Sequence, residues 1–581
     1  MTENKLNALI RKRSLDLQEK RRSLLDIPAE QVVENILEAE RPAELVHSFP
    51  EEDLYLLINE IGPQDALPVI SLASAKQWEY ILDMDVWKGD RVDPLATTKW
   101  LGLLLAADPD RFSRWCADEK KVFTEFFLYH NLDVGIREED QDPADFGPEF
   151  STIDDTFYFR VKELPIGTNP DDKPEVSEVL EHFKQQRKQL LPALLQKIVN
   201  NDYQQYRDLL LEAASIIPAE TEEELYRLRN VRLAEKGFLP QDEAVGVYQP
   251  LKPQDLPERQ IKYVETGSTN TPLPPAPMAT DNLLEKDTLF GSALASIDQV
   301  ELKMQLQSEF AGLCNSIIIA DRKTVSTRQA LAEIVKKTCG YIGIGLENLP
   351  DDHQRLIRTY PLADIFRVGY GQALALKWKA EAWQKESWYM QAGLRLSFWG
   401  EIFMGVIGGM LIQKPLFFDN YATGTIYREF QNSDDIRFTD KLLDQIIALD
   451  RLFRRLPIKD LPDSQHPPLT YKNLILTLWA KHCLGLQRHP QTALSGIPLK
   501  EFQSFFSELW DMHQKPTVIS KAIKTSFRDW ISHAGNLKAD EFSDWFGDIF
   551  TDLFKEIEEE YAQVAVNDLD PRFILLFRVE E

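Results

Sequence analysis

Residues 28–70 read PAEQVVENILEAERPAELVHSFPEEDLYLLINEIGPQDALPVI. Pro28, Pro42, Pro50 and Pro63 are each followed within one to three residues by an acid: Glu30, Glu44, Glu51 with Glu52, and Asp65. Proline suits a first helical turn because its missing N–H would find no intrahelical acceptor there, and an acid in that turn meets the positive end of the helix dipole. Between these starts lie apolar residues at helical spacing, such as Leu54, Leu57, Ile58 and Ile61. The pattern continues at Pro94 and at Pro109-Asp110. It predicts a stack of short helices, each burying its apolar face on its neighbours. The proline spacings of 14, 8, 13, 31 and 15 residues are too uneven for a strict repeat array.

Further along, Phe157, Phe159 and Val161 alternate with Tyr158, Arg160 and Lys162, the period of a half-buried strand. Helical patterns resume from about 174 to 236. Seven prolines between Pro250 and Asn282 then form a stretch that cannot build a core and is expected to link two domains. Tryptophans support the division: four at 78, 87, 100 and 115, none from 116 to 377, and eight from 378 to 545. The expected organisation is a basic arm at 1–26, an N-terminal helical stack at 27–245 with a small β insertion near 150–163, a Pro-rich linker at 246–283 and a C-terminal helical domain at 284–581. The fold class is mainly α, in two lobes.

Two resemblances add to this reading. The run Leu45-Val46-His47-Ser48-Phe49-Pro50-Glu51-Glu52 and the apolar run Leu54 to Ile61 make residues 28–115 resemble the cytosolic helical N-terminal domain of MgtE-type magnesium transporters. That likeness implies a superhelix of short helices and a protein-contact role; the transporter's later domains and membrane spans have no counterpart here. The whole chain is similar to an uncharacterised bacterial domain-of-unknown-function family, through Leu233-Ala234-Glu235-Lys236-Gly237-Phe238, Glu243-Ala244, Tyr248, Gly345-Leu346-Glu347-Asn348-Leu349 and Phe366-Arg367-Val368-Gly369. This resemblance implies no activity, cofactor or site.

Composition narrows the function classes. The 581 residues carry 66 basic and 93 acidic side chains, a formal charge of −27. Such a body repels phosphate and anionic lipid, which argues against nucleic acid or a membrane surface as its general partner. Four widely spaced cysteines suggest neither a disulfide framework nor a metal pair. The most apolar segment, Ile402–Ile412, has 11 residues, where a membrane span takes about 20. With no apolar leader visible after Met1, a cytoplasmic protein is expected.

No P-loop, HExxH or GxSxG motif occurs. The nearest calcium-loop match, at Asp83 and Asp85, has Lys88 where glycine is needed and Pro94 where glutamate is needed. Gly340-Tyr341-Ile342-Gly343-Ile344-Gly345 follows a helical segment instead of a strand, so it reads as a helix end with close backbone packing, not as a dinucleotide site. His482 and His489 on one helix would be about 10.5 Å apart along the axis, too far to share one zinc ion. No metal site and no cofactor are therefore expected.

Three places carry what functional signal there is. Arg395 and Glu401 sit in an apolar, glycine-rich stretch, Leu394 to Ile412, and are the first place to look for a pocket, although a small-residue helix face would explain them too. Residues 540–560 place Phe542, Trp545, Phe546, Ile549, Phe550, Leu553, Phe554 and Ile557 on one stripe, while Asp544, Asp548 and Asp552 contribute to an acidic opposite face. Arg11, Lys12, Arg13, Lys20, Arg21 and Arg22 make the first 26 residues basic, fit to dock on an acidic face of the same chain or of a second copy. The leading expectation is a non-enzymatic interaction or scaffold protein using acidic helical surfaces, with a protein partner or self-association. A C-terminal pocket for an enzyme or ligand binder, and a divalent-ion-responsive regulator, are the alternatives.

Overall fold

The computed structural model describes residues 16–24, 27–163, 174–259, 287–456, 468–486, 495–511, 517–536 and 539–580, together with Arg13, Thr280, Leu284 and Ile458. For 29–30, 174–180, 539–545 and 547 it describes the backbone alone. The chain is mainly helical, with a few short strands. It forms two compact units that interleave in sequence: the described residues up to Gln249 with Glu258–Thr338 and Ile357–Ala363, and Pro250–Pro257 with Cys339–Leu356 and Asp364–Glu581. Residues 260–279 of the Pro-rich stretch lie outside the described residues.

The first unit begins as the prolines lead one to expect. Helices α1 (Ala29–Leu37) and α3 (Glu51–Ile61) start directly after Pro28 and Pro50, while α2 (Pro42–His47), α6 (Pro94–Ala107) and α7 (Pro109–Ala117) carry proline in the first turn. Pro63 opens a turn instead, and α4 (Leu67–Leu72) begins after it with Pro68 in its first turn. At α5 (Ala75–Asp85), Ser74 and Gln77 close a capping box. Gln77 is also buried, where its Nε2 donates to the carbonyls of Val46 at 2.8 Å and Phe49 at 3.0 Å, tying the end of α2 to the start of α5. Trp78 packs on Trp115 with ring centroids 5.6 Å apart and donates to the Ile70 carbonyl, so its polar edge is satisfied in the core.

After α8 (Lys121–Asn131) comes a three-stranded antiparallel sheet of β3 (Leu132–Ile136), β4 (Ser151–Thr152) and β5 (Phe157–Val161), preceded by the short hairpin of β1 (Trp87–Lys88) and β2 (Arg91–Val92). The alternation in β5 does not divide it into a wet and a dry face. Phe157, Tyr158 and Phe159 are all buried, because Phe146 stacks on Tyr158 at 4.3 Å and covers the second face. Helices α9 (Pro174–Asn201), α10 (Tyr203–Ala213) and α11 (Pro218–Ala234) then pack on α6, α7 and α8. The short α12 (Gln241–Ala244), α13 (Leu289–Ala295) and α14 (Val300–Ala320) belong to this unit, α15 (Arg328–Glu347) contributes its first half, and α16 (His353–Thr359) is divided between the units.

In the second unit the end of α15 crosses α17 (Leu362–Glu386) at glycine: a Cβ at Gly369 would run into the Tyr341 carbonyl, and one at Gly345 into the Ile365 carbonyl. The glycine-rich stretch thus lies in the last turns of α15, and close backbone packing is its role. Between α17 and α19 (Gly400–Leu411) lies α18 (Trp388–Gln391), whose first two N–H groups are held by the buried Asp450 of α20 (Ser433–Arg455) at 3.0 and 3.1 Å. Trp383, Tyr389, Trp399, Phe398 and Phe453 form one aromatic cluster there. Helices α21 (Tyr471–Cys483), α22 (Leu499–Glu508), α23 (Lys521–Ala534) and α24 (Ala539–Tyr561) build the rest. The aromatic stripe of α24 docks within this unit: Phe546, Ile549, Phe550, Leu553, Phe554 and Ile557 are buried, and Phe527 of α23 meets Phe550 and Phe554 at 4.9 and 5.2 Å. The side chains of Phe542 and Trp545 lie outside the description.

Candidate interaction hairpin

Helix α19 is rich in glycine because another element lies across it. Added Cβ atoms at Gly405 and Gly409 would strike the Phe418 ring and the Leu416 carbonyl, and one at Gly408 would lie 2.8 Å from the Tyr427 hydroxyl. The element responsible is an antiparallel hairpin of β6 (Phe417–Phe418) and β7 (Tyr427–Arg428), in register Phe417↔Arg428 and Phe418↔Tyr427. The Tyr427 hydroxyl donates to the Gly405 carbonyl at 3.0 Å.

A buried charge cluster holds the base of the hairpin. Arg428 Nε donates to Asp419 at 2.7 Å, and its two terminal nitrogens fork onto Asp435 at 2.6 and 2.9 Å. Asp435 also accepts from the Gln431 N–H, and Asp419 accepts from both the N–H and the hydroxyl of Thr423. Burial works to raise the Asp419 pKa, but the Thr423 hydrogen bonds and the Arg428 guanidinium together hold this carboxyl below its usual range. Arg428 is further covered by the Phe417 ring at 4.2 Å. Arg428 is the one cation between these two carboxylates, so removing it would leave two buried acids uncompensated.

That geometry presents the tip. Residues 420–426 are all exposed, and Asn420 and Tyr421 both adopt left-handed backbone, with φ of 47° and 64°. Asparagine tolerates this conformation; for a bulky tyrosine it costs about 1 kcal/mol or more. Tyr421 nonetheless stands 63% exposed, beside Ile426 at 43%. On α19 itself, Ile402 and Met404 are exposed as well.

The residues singled out by sequence fall as follows. The side chains of Arg395 and Glu401 are both exposed to solvent. The reason is that the buried face of α19 is filled by Phe403, Val406, Ile407 and Met410, leaving its charge to solvent. Arg13 pairs with Glu44, and Lys20 with Asp16 at 3.0 Å. Arg21 is buried and donates to the Ser48 carbonyl at 2.5 Å, while Arg22 is exposed. Arg11 and Lys12 lie outside the described residues, as does the Asp544 side chain. Asp548 pairs with Lys441 at 2.5 Å and Asp552 is exposed, so α24 does show solvent an acidic face. His482 and His533 line one open groove of about 730 Å³ with Trp530, and His489 lies outside the described residues. Among the described residues no group of three metal-ligating side chains comes together, and no single helix is long and apolar enough to cross a membrane.

Sequence reasoning missed the hairpin. The signal was present in FFDNYATGTIYR (417–428), with turn-forming Asn420, Thr423 and Gly424 between aromatic pairs. What no pattern could supply was Asp435, since its pairing with Arg428 is tertiary.

A mainly α-helical fold with an interleaved pair of units and a clamped, aromatic-tipped hairpin defines the class of protein. The chain belongs to the DUF6178 family, a family of unknown function, whose match spans residues 10–580. That full-length match leaves the likeness to the MgtE-type domain without support. No curated protein and no solved structure matches the chain.

Proposed function

We propose that this is a non-enzymatic interaction protein and that the β6–β7 hairpin is a contact surface for a partner protein. The observation that carries the reading is Tyr421, a bulky aromatic held in solvent in a costly backbone conformation by a buried ion cluster beneath it. Strain of this kind gathers at ligand clamps and switch regions. Tyrosine is among the residues that dominate binding energy at interfaces, and a loop already fixed in place loses little entropy when it docks. Exposed Ile426 adds apolar area at the tip, and the negative charge of the chain favours a partner with basic groups. A second copy of this chain carries the same charge of −27 and is the poorer match.

The test is a photo-crosslinking amino acid placed at position 421 in native cells, combined with co-purification. The expected result is one dominant adduct with a different protein, and loss of that protein from purifications of the Tyr421→Gly variant. Absence of an adduct, or an adduct only with a second copy, overturns the reading.

A further inference from the structure

The first unit holds a cleft of about 180 Å³ where α5, α8 and α11 converge. Cavities of about 150 Å³ accommodate a benzene ring, so this one has room for a ring and a short side chain. Its apolar walls come from Leu82 and Val86, from Trp87 and Phe123, and from Leu225 and Leu228. Leu228 stands at the mouth, 38% exposed, as does Val122 at 47%.

The polar side of the cleft is neutralised from within. Arg232 forks onto Asp83 with two 2.8 Å hydrogen bonds and reaches Glu79 at 3.1 Å; Lys120 also pairs with Glu79. Lys121 pairs with Glu212 at 2.7 Å. Every cation of the lining is thus committed to a carboxylate. Two acids remain at the mouth, Asp118 and Glu119, both exposed. Asp118 accepts from the neutral Gln205 amide at 2.7 Å, which leaves its charge in place, and Glu119 has no ion-pair partner among the described residues. Arg229 already lies over the Trp87 ring at 5.6 Å, so the pull on a further cation comes from the two carboxylates at the mouth.

We propose that this cleft binds a small organic cation: an aromatic or branched apolar body of ring size that carries one ammonium group. The apolar part replaces water against Leu82, Val86 and Leu225, and the ammonium lies at the mouth towards Asp118 and Glu119. The site lies in a different unit from the hairpin and stands independently of the interaction reading.

The experiment is calorimetric titration of the full chain with 2-phenylethylamine, with 2-phenylethanol as neutral isostere and phenylacetate as anion. The amine is expected to bind at least about tenfold more tightly than the alcohol, and the anion more weakly than either. In the Asp118→Asn, Glu119→Gln double variant the amine's advantage is expected to disappear while the alcohol is unaffected. Leu228→Trp, at a half-exposed position, is expected to block amine and alcohol alike with an unchanged thermal midpoint. Equal binding of amine and alcohol, retention of amine binding in Leu228→Trp, or no heat from the amine at up to about 10 mM would each overturn the proposal.

Discussion

Gly369 and Tyr421 sit at opposite ends of the same physical question, what a side chain costs where the backbone leaves no choice. At Gly369 an added Cβ would meet the Tyr341 carbonyl oxygen and lie 2.8 Å from the Gly345 nitrogen, both belonging to α15 backbone that cannot rotate away. Gly369→Ala is therefore expected to destabilise the second unit by about 3 kcal/mol, read as a lowered thermal midpoint. Gly371→Ala, whose Cβ would come no nearer than 3.3 Å to any atom, the Pro250 Cβ, is expected to shift it far less. Equal midpoints for the two variants would show that the helices separate freely there. At Tyr421 the residue is kept in spite of its backbone. Tyr421→Gly relieves a left-handed strain of about 1–2 kcal/mol and gives back part of it as unfolded-chain entropy, so the variant is expected to be about 0.5–1 kcal/mol more stable than the parent. A loss of stability would mean that the exposed ring contributes to folding after all.

At the level of elements, α8 and α10 meet across two carboxyl groups. Burial raises the Glu125 pKa to about 7, the facing Glu212 adds to the rise through a hydrogen bond and its charge, and Lys121 opposes it. Glu212 moves the other way, its pKa lowered by the hydrogen bonds from Glu125 and Lys121. The folded state therefore holds a proton on Glu125 that the unfolded chain releases near the ordinary glutamate value. Stability from this source is complete below that value and is lost as pH rises through about 7. Glu212 acts in the opposite sense, and only on acidification below the usual glutamate range. Glu125→Gln keeps the hydrogen bond and removes the titration. The variant is expected to gain thermal stability relative to the parent at pH 8 compared with pH 5.5, and a difference that does not vary with pH would show that Glu125 is not the titrating group. These two helices also show what the chain reveals of itself. Proline and acid spacing announced α1, α2, α3, α6 and α7, and the eight-residue aromatic stripe announced α24, because a helix start and an amphipathic face are local properties. The Glu125–Glu212 pair was invisible, being 87 residues apart and on separate helices.

Taken whole, the molecule carries −27 charges, while most of its described ion pairs lie at the surface, where each contributes about 0–1 kcal/mol. Repulsion summed over the chain is the larger quantity. Raising sodium chloride from about 10 to 150 mM shortens the Debye length from about 30 to 8 Å and is expected to raise the thermal midpoint, with magnesium at matched ionic strength doing no more. A falling midpoint would mean that the surface pairs dominate. The units themselves followed no boundary in composition. Pro250–Pro257 packs with the second unit and Glu258–Thr338 with the first, an interleaving set by contacts between distant segments. Arg395 and Glu401, chosen for their apolar surroundings, face solvent for the same reason: hydrophobic neighbours in sequence say that one helix face is buried, not which side chains turn towards a cavity. The helical class, several helix starts, the apolar stripe of α24 and the family likeness were legible along the chain, since all of these follow from periodicity and residue type. The Asp419–Arg428–Asp435 clamp under Tyr421 and the cleft between α5, α8 and α11 came from packing, because each is assembled from side chains on separate elements and exists only once those elements meet.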